Sequence, residues 1–565
     1  MAEYRSPMQI VPHFPDDLTL PQFLFDYEHP IRLHRHTEIP WIVDSVSGNR
    51  LLGDEVGATT CFNIFAEFLC LKVDFLTDFP VTIWAAHRLG ASVFTVNPTY
   101  TVDELVPHLV DMKPNLLVVH PSALRVARTA ATQIGLPDGR IVLFDLSTIR
   151  TDSDQLEPAP KTLEHLVTLG LSSKKTHQFS EFKLKPGEGK TKVALYFPSS
   201  GTTGVPKMVA IPHSSFISNI IQTAAHDAGV DMSVPVVDRR FRPGDISCAV
   251  LPFFRNTVDI FGLLINLHYM LFSGMTVVIM PKFDFLEYLA TIKRYKVTNL
   301  SRAGSLSLIL QHPGVKAEDL TSLRVVFIGG APLSVHLAEA MAKIVPQAVV
   351  EQGYGMTELT GILTMPPLNR RVATDSVGHL LPGFTARVVK RDGSLAGPGE
   401  TGELYVTGPS LAIYYVNNKK ISKETFVDGW VRSGDEVYFD DNGELCIVDR
   451  IKDFIKVGGF QVAPSELEAR LVTNPDISDC CVVPVPHEFS GEVPRAYAVL
   501  SKNALERVQQ NPKESDKIKA TLIQDIADNK AKYKRLTGGV EFIDAIPKTA
   551  SGKLLRRALR TKARL

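Results

Sequence analysis

At 565 residues the chain is too long for one hydrophobic core, so two or more domains are expected. Its 61 Lys+Arg balance 61 Asp+Glu, leaving no basic surplus for a nucleic-acid partner, and 44% hydrophobic against 22% charged residues is ordinary for a globular protein. The six cysteines, Cys61, Cys70, Cys248, Cys446, Cys480 and Cys481, form no C-x-x-C pair and no metal-ligand spacing, and read as reduced thiols of an intracellular protein.

Residues 1–20 carry scattered Pro, Asp and Glu without an apolar run, which does not fit a secretory signal. Apolar residues at helical spacing predict helices over Thr60–Leu71 and Val81–Leu89, the second stopped by Gly90. Ala91–Val96 reads as a buried strand closed by Asn97-Pro98, Asp103–Met112 as a helix, and Leu116–Val119 and Ile141–Phe144 as further strands. Strands alternating with helices imply a parallel sheet with crossover helices. Periodicity vanishes over residues 170–192, where Lys, Ser, Gly and Pro dominate, as expected of a surface connection.

The apolar run Val193–Tyr196 leads into Phe197-Pro198-Ser199-Ser200-Gly201-Thr202-Thr203-Gly204-Val205-Pro206-Lys207. Glycines let backbone amides approach an anion, and hydroxyls and a lysine add donors, so this loop is a phosphate-cradle candidate. It is not a Walker sequence, because Pro206 sits where the second glycine would be; an ordinary polar turn is the alternative. Ser214–Ala225 reads as helix. The most membrane-like stretch, Gly262–Met280, is broken by Asn266, His268, Ser273 and Gly274, and reads as a buried helix, a glycine stop and the strand Met275–Met280, so no membrane span is expected.

Leu323–Ile328 is a predicted strand ending in Gly329-Gly330-Ala331-Pro332, where two glycines let an adenine ring or acyl chain lie against the backbone. Val349 and Val350 lead into Glu351-Gln352-Gly353-Tyr354-Gly355-Met356-Thr357-Glu358, an aromatic beside glycines that suits a stacked purine. From Gly378 to Asp449, short alternating segments with the turns Asp392-Gly393, Pro398-Gly399 and Asn442-Gly443 predict a small β-rich subdomain. Residues 450–565 mix helices and strands, with a lysine-rich helix near Lys513–Arg535, and read as a separate C-terminal domain. That part holds 21 Lys+Arg against 14 Asp+Glu, and the remainder is acidic by the same margin. The asymmetry either draws anionic nucleotides and the two parts together or reflects a solvated helical surface.

Five ordered motifs carry a resemblance: the hydroxyl-rich loop, Tyr354-Gly355-Met356-Thr357-Glu358, Ser433-Gly434-Asp435, Asp449-Arg450-Ile451-Lys452-Asp453 and Pro547-Lys548-Thr549-Ala550-Ser551-Gly552-Lys553. From about Trp41 to the end the chain resembles the adenylate-forming superfamily of acyl-CoA synthetases, firefly luciferases and adenylation domains, and most of all its coumarate–CoA ligase-like branch. The implied fold is α/β: a large N-terminal adenylation domain (1–449) of parallel α/β sheets with a β-barrel-like subdomain (378–449), hinged to a smaller α+β C-terminal lid (450–565).

The resemblance implies a set of roles. Ser199, Ser200, Gly201, Thr202, Thr203 and Lys207 would hold the β- and γ-phosphates of ATP; Thr357 would reach the α-phosphate; Glu358, with Thr202, would hold Mg²⁺ as a hard oxygen ligand. Gln352, Gly353 and Tyr354 would form the purine site. Asp435 would accept the ribose hydroxyls, and Arg450 would support the ribose and the junction. Lys553, on a glycine arm, would bridge the acyl carboxylate and the α-phosphate. Lys452 falls at the hinge, about which the lid rotates to withdraw Lys553 and present Lys456 with Gly458 and Gly459 to coenzyme A, whose phosphates Lys282 would contact. Gly330, Ala331 and Met365 would line the acyl pocket.

Two departures stand out. Relatives place a histidine after a Leu-Pro-x-Phe run; here Arg255 replaces it if aligned from the left and Asp259 if aligned from the right, so a charge stands near the acyl pocket or points to solvent. Gly458 stands where coumarate–CoA ligases tend to carry lysine. The implied function is an ATP-dependent acid–CoA ligase that forms an acyl-adenylate and then a thioester, on an arylalkenoic or medium-chain acid. The alternatives are an adenylating enzyme that loads a separate carrier protein, a luciferase-like oxygenase and a non-catalytic nucleotide-binding paralogue, the last opposed by intact Glu358, Asp435 and Lys553. The final Ala563-Arg564-Leu565 has the small-basic-apolar form of a peroxisomal address, which makes an import receptor a further partner and the peroxisome, otherwise the cytoplasm, the expected location.

Overall fold

The computed structural model describes residues 3–8, 11–35, 38–52, 68–72, 78–96, 100–144, 161–172, 180–199, 207–249, 260–280, 283–301, 309–310, 312–330, 333, 335–451, 453–457, 460–487, 490–530, 532–548 and 554–562. Among them the strands gather into five sheets.

The eight-stranded sheet runs in the order Tyr414–Tyr415, Lys207–Pro212, Val193–Ser199, Ser92–Val96, Phe68–Lys72, Leu116–Val119, Ile141–Leu143, Lys161–Thr162. From Val193–Ser199 onward the neighbours are parallel, as the strand–helix alternation requires. All residues of Val193–Ser199, Ser92–Val96 and Leu116–Val119 are buried, the pattern of strands covered on both faces. The helices Asp78–Arg88 and Val102–Met112 fall where expected. The second has a full capping box, with the Thr101 side chain accepting from Glu104 N and Glu104 reaching back. The helix expected over Thr60–Leu71 is corrected at its end: Phe68–Lys72 is a strand, paired on one side with Ser92–Val96 and on the other with Leu116–Val119. A short apolar run fits either period, and two parallel neighbours decide it as strand. The rest of that segment, residues 60–67, lies outside the described residues.

The seven-stranded sheet runs Val349–Gln352, Val325–Ile328, Asn299–Leu300, Ile246–Ala249, Thr276–Ile279, Ile42–Asp44, Arg50–Leu51, parallel except for the last hairpin. The helix His213–Asp227 is buried on every side, so its polar residues bond inward. Asn219 Nδ2 donates to Ile362 O at 2.7 Å, Ile362 N donates to Asn219 Oδ1 at 3.0 Å, and Gln222 Nε2 donates to Pro382 O at 2.8 Å. The two Asn219 bonds fix the strand Gly361–Met365. Gly262–Tyr269 is a buried helix with π-type bonding that ends at Gly274 (φ +77°) before the strand Thr276–Ile279, in the order the composition foretold. Among the described residues no helix is long and apolar enough to cross a membrane.

The region after Gly378 supplies an antiparallel sheet in the order Glu3–Arg5, Thr385–Val389, Gly402–Thr407, Trp430–Phe439, Phe426–Val427, with Leu445–Arg450 also on Trp430–Phe439. Gly402–Thr407 alternates buried and half-buried residues, as a strand with one covered face does. Tyr4 on the first strand stacks on Phe439 with centroids 4.0 Å apart. The C-terminal sheet (Phe460–Val462, Ile455–Val457, Gly491–Leu500, Ile477–His487, and Val540–Phe542 beside Gly491–Leu500) packs the helices Pro464–Leu471 and Lys513–Asn529. The short helix Arg556–Lys562 is anchored by Arg556, whose guanidinium pairs with Glu468 and donates to Val482 O at 3.1 Å.

Candidate active site

Ligands of open α/β sheets bind beyond the carboxyl ends of the strands. At that edge the chain leaves Val349–Gln352 and enters a tight double turn. Gly353 N donates to Ile328 O at 2.9 Å, and a Cβ on Gly353 would lie 2.6 Å from the Phe327 ring and 2.9 Å from Thr364 O. Tyr354–Met356 then pairs antiparallel with Gly361–Met365. A Cβ on Gly355 would lie 1.8 Å from Gly361 O, so only glycine permits that pairing. Between the two strands, Thr357–Leu359 forms a single 3₁₀ turn closed by Thr360 in the left-handed region (φ +63°). Thr357 and Glu358 ride on this turn, both buried.

Tyr354 faces the antiparallel sheet. Its hydroxyl donates to Asp435 Oδ2 at 2.5 Å, and Arg450 Nε meets Asp435 Oδ1 at 3.1 Å. Asp435 and Arg450 are register partners on neighbouring strands, and Asp435 N donates to Ser433 Oγ at 3.0 Å beside Gly434 (φ +72°). Burial, then the Asp435 charge, push the Tyr354 phenol well above its ordinary value, which keeps it a donor. The Asp435 carboxylate holds the Arg450 guanidinium firmly charged, and the field of Arg450 also touches Glu358.

Glu358 Oε1 accepts from the Tyr415 hydroxyl at 2.5 Å, and Ala412 N donates to Glu358 O at 3.0 Å. Ser199, buried at the end of its strand, is the register partner of Lys207, so the hydroxyl-rich loop joins two antiparallel neighbours. Lys207 Nζ stands 5.4 Å from the centroid of the Tyr415 ring. Gln352 uses its amide on backbone: Leu333 N donates to Oε1 at 3.0 Å, and Nε2 donates to Thr374 O at 3.0 Å, which ties down the chain after Gly330. A cavity open to solvent is lined by Phe261, Phe327, Gly329, Gly330, Gly353 and Tyr354, among others. Met365 is fully buried, and a Cβ on Gly378 would lie 2.1 Å from its carbonyl oxygen. Lys456 is exposed on Ile455–Val457, its amide donating to Glu492 Oε2 at 3.0 Å. Ser200, Gly201, Thr202, Thr203, Arg255, Asp259, Lys282, Ala331, Lys452, Gly458, Gly459 and Lys553 lie outside the described residues.

The structure therefore joins Tyr354, Asp435 and Arg450 in one group and Lys207 and Glu358 in another, with Gly330 and Gly353 on the cavity wall. Sequence reasoning missed Tyr415, which links Lys207 to Glu358. Its only local sign is a tyrosine pair, Tyr414-Tyr415, and nothing in that pair points to residues 207 or 358. Chemically, Asp435 keeps acceptor capacity for a vicinal diol after its two contacts. Among the described residues no three His, Cys, Asp or Glu cluster as a metal site. Glu358 as a single hard carboxylate fits a cation that brings phosphate oxygens and water with it, and does not fit an all-protein cage.

The AMP-binding enzyme family model matches residues 74–416, and the model of the AMP-binding enzyme C-terminal domain matches residues 466–553. The chain is 33% identical over 487 residues to the probable 4-coumarate–CoA ligase 3 of Dictyostelium discoideum, covering 84% of this chain and 81% of that one. It is 33% identical over 489 residues to the peroxisomal OPC-8:0-CoA ligase 1 of Arabidopsis thaliana, covering 85% and 81%. The fold is that of the solved ATP-bound MatB from Rhodopseudomonas palustris, with TM-score 0.78 and 23% identity over 96% of this chain and 98% of that one. Sheets, glycine turn and the family match thus define an adenylate-forming enzyme. The chain belongs to the AMP-binding enzyme family, in its coumarate–CoA ligase-like branch.

Proposed function

We propose that this enzyme joins a carboxylic acid to coenzyme A with ATP and Mg²⁺, releasing AMP and pyrophosphate. In the first step the acid's carboxylate oxygen attacks the α-phosphorus of ATP, the bond to the β-phosphate oxygen breaks, and pyrophosphate leaves. In the second the CoA thiol gives up its proton, its sulfur attacks the acyl carbon, and AMP leaves with the bonding pair. The carboxylate is already a nucleophile, so the first step needs no general base. It needs neutralisation where two anions meet. Mg²⁺, when bound, supplies part of that charge at the phosphate oxygens.

The chain's own residues divide the remaining work. Asp435, held by Tyr354 and Arg450, receives the ribose. Glu358 faces the cation, Thr357 the α-phosphate, and Lys207 with Ser199 and the hydroxyl loop the outer phosphates. Lys553 bridges carboxylate and α-phosphate before Lys452 turns the C-terminal part to present Lys456. The observation that carries the reading is the Tyr354–Asp435–Arg450 group beside a buried Glu358.

Phe261 and Phe327 stack with centroids 5.8 Å apart on the wall of the cavity, which favours a flat arylalkenoic acid over a medium-chain one. The test is a panel of such acids with ATP and CoA, following AMP, pyrophosphate and thioester together. AMP without thioester would point to a carrier protein or to oxygen in place of CoA, and no AMP with any acid would refute the proposal. A peroxisomal location is supported by Ala563-Arg564-Leu565 and by the peroxisomal name of one relative. Removal of these three residues should shift a tagged protein from peroxisomes to the cytoplasm.

A further inference from the structure

Tyr415 sits where three parts of the site meet. Its strand, Tyr414–Tyr415, is antiparallel to Lys207–Pro212, with Tyr415 opposite Val209. A residue on one strand reaches the diagonal neighbour two places from its partner, and here that neighbour is Lys207. The ammonium stands 5.4 Å from the ring centroid, within cation–π range. At the far end of the ring the hydroxyl donates to Glu358 Oε1 at 2.5 Å. Three residues upstream, Ala412 N donates to Glu358 O at 3.0 Å, so one segment grips both the backbone and the carboxylate of Glu358.

The segment itself is fixed. Ile413 N donates to Ala210 O at 3.0 Å, Val416 N to Met208 O at 2.8 Å, and Tyr415 N to Ser422 Oγ at 2.9 Å. Tyr415 is 7% exposed and also packs against Phe426, centroids 5.6 Å apart. With its backbone held on both sides and its ring buried, the Tyr415 side chain has little freedom to reorient, which restricts the group it bonds.

From this geometry we propose that Tyr415 is a positioning residue for the divalent cation of the nucleotide: it holds Oε1 of Glu358 so that Oε2 is presented to the metal, and steers Lys207 toward the same phosphates. The proposal rests on Glu358 as a ligand of that cation. Among the described residues Oε2 has no hydrogen-bond partner, which suits an oxygen kept for a ligand. An unanchored glutamate would have to freeze its side-chain torsions on binding, so the hydrogen bond should appear as metal affinity rather than as turnover.

The test uses the full chain, Mn²⁺ and α,β-methylene-ATP, with Mn²⁺ binding read by electron paramagnetic resonance. Tyr415→Phe removes one oxygen and leaves the ring under Lys207. It should weaken Mn²⁺ binding about tenfold and leave the affinity for the metal-free analogue within twofold. In turnover it should raise the half-saturating Mg²⁺ concentration by a similar factor, with kcat largely recovered at saturating Mg²⁺. Folding is checked by an unchanged melting temperature. If Tyr415→Phe does not accumulate folded, Ser422→Ala loosens the Tyr415 backbone, whose N–H the Ser422 hydroxyl accepts, and should give a smaller shift in the same direction. Mn²⁺ affinity equal to wild type in the folded variant would overturn the proposal, as would loss of kcat that Mg²⁺ does not restore.

Glu358→Gln separates the two readings. It should reduce Mn²⁺ binding about a hundredfold, and adding Tyr415→Phe to it should change nothing more. Wild-type Mn²⁺ binding by Glu358→Gln would remove Glu358 from the metal, and the positioning role with it. A further loss on adding Tyr415→Phe would show that Tyr415 acts elsewhere and overturn the positioning role alone.

Discussion

Tyr354 and Asp435 are 81 residues apart in sequence, yet the phenol donates to the carboxylate at 2.5 Å and so ties the glycine turn to the antiparallel sheet. Arg450 reaches the other carboxylate oxygen at 3.1 Å, from the last position of its strand. Two donors therefore fix the plane of Asp435 before any nucleotide arrives, and that preorganisation is what a ribose site requires.

Asp435→Ala should accordingly affect both binding and stability. It leaves the Tyr354 hydroxyl and the Arg450 guanidinium without their shared acceptor, and hydrogen bonds to a charged group contribute about 1.5–3 kcal/mol each. The Michaelis constant for ATP in pyrophosphate release should rise at least tenfold, and the melting temperature should fall by several degrees. Tyr354→Phe keeps the Arg450 contact and should cost less in both measurements. Equal effects would mean that Arg450 alone orients the carboxylate.

Gly355→Ala adds one methyl group where Gly361 O lies 1.8 Å from the ideal Cβ position. The obstacle is backbone held by Asn219, whose Oδ1 accepts from Ile362 N at 3.0 Å, so it has no rotamer to yield. Strands Tyr354–Met356 and Gly361–Met365 would have to part, and Glu358 rides between them. Pyrophosphate release should fall more than a hundredfold while the C-terminal sheet keeps its resistance to proteolysis. An active Gly355→Ala enzyme would mean that this turn is not the one that holds the site.

Much of this was legible in the sequence because local chemistry decides it. Glycine stops, fully apolar strand runs and turn pairs marked most of both parallel sheets and the antiparallel region. Phe68–Leu71 failed because four apolar residues satisfy a helical period as well as a strand, and only the two flanking strands distinguish them. The motifs located Tyr354, Glu358, Asp435 and Arg450, but not who bonds to whom. The Tyr354–Asp435 and Tyr415–Glu358 contacts join residues 81 and 57 apart, and pairing at that range is set by sheet register rather than by neighbours in the chain. Gln352 shows the same limit: its motif suggests a nucleotide contact, whereas its amide is engaged by Leu333 N and Thr374 O.

Lys553→Ala tests the division of labour between the half-reactions. A cation that bridges two anions matters only while both are present, that is, in adenylation. Pyrophosphate release should fall by about a hundredfold to a thousandfold, the range for removing a preorganised electrostatic group. Thioester formation from a supplied acyl-adenylate and CoA should stay within a few fold of wild type. Parallel loss of both half-reactions would assign Lys553 to folding or closure instead.

Buried histidines set the acid limit of the fold. His268 accepts from Trp84 Nε1 at 3.0 Å on Nε2 and donates from Nδ1 to Leu263 O at 2.7 Å, so both nitrogens are used by the neutral ring. His87 donates to Ala194 O at 3.0 Å and lies 4.8 Å, centroid to centroid, from His213, whose Nδ1 accepts from Leu20 N at 3.1 Å. His226 donates to Pro366 O at 2.9 Å. Burial pushes His87 down to about 4 and His226 and His268 each to about 3, and lowers His213 well below the ordinary value. A histidine depressed in the fold gives stability that is complete above its unfolded value near 6.5 and is lost as pH falls below it, because only the unfolded chain then takes up the proton. Burial also lowers His29 and His108 and shifts three carboxyls the other way, Glu351 to about 7 and Asp227 and Asp245 upward, so part of the histidine uptake is offset. Each proton of net uptake on unfolding corresponds to about 1.4 kcal/mol per pH unit. The melting temperature should therefore drop steeply between pH 6.5 and 5. His268→Gln, which retains a donor and an acceptor without a titrating ring, should melt a few degrees lower at pH 7.5 and show a shallower decline below 6.5. A decline as steep as that of wild type would mean that His268 is charged in the folded protein, and that the Trp84 N–H bonds elsewhere.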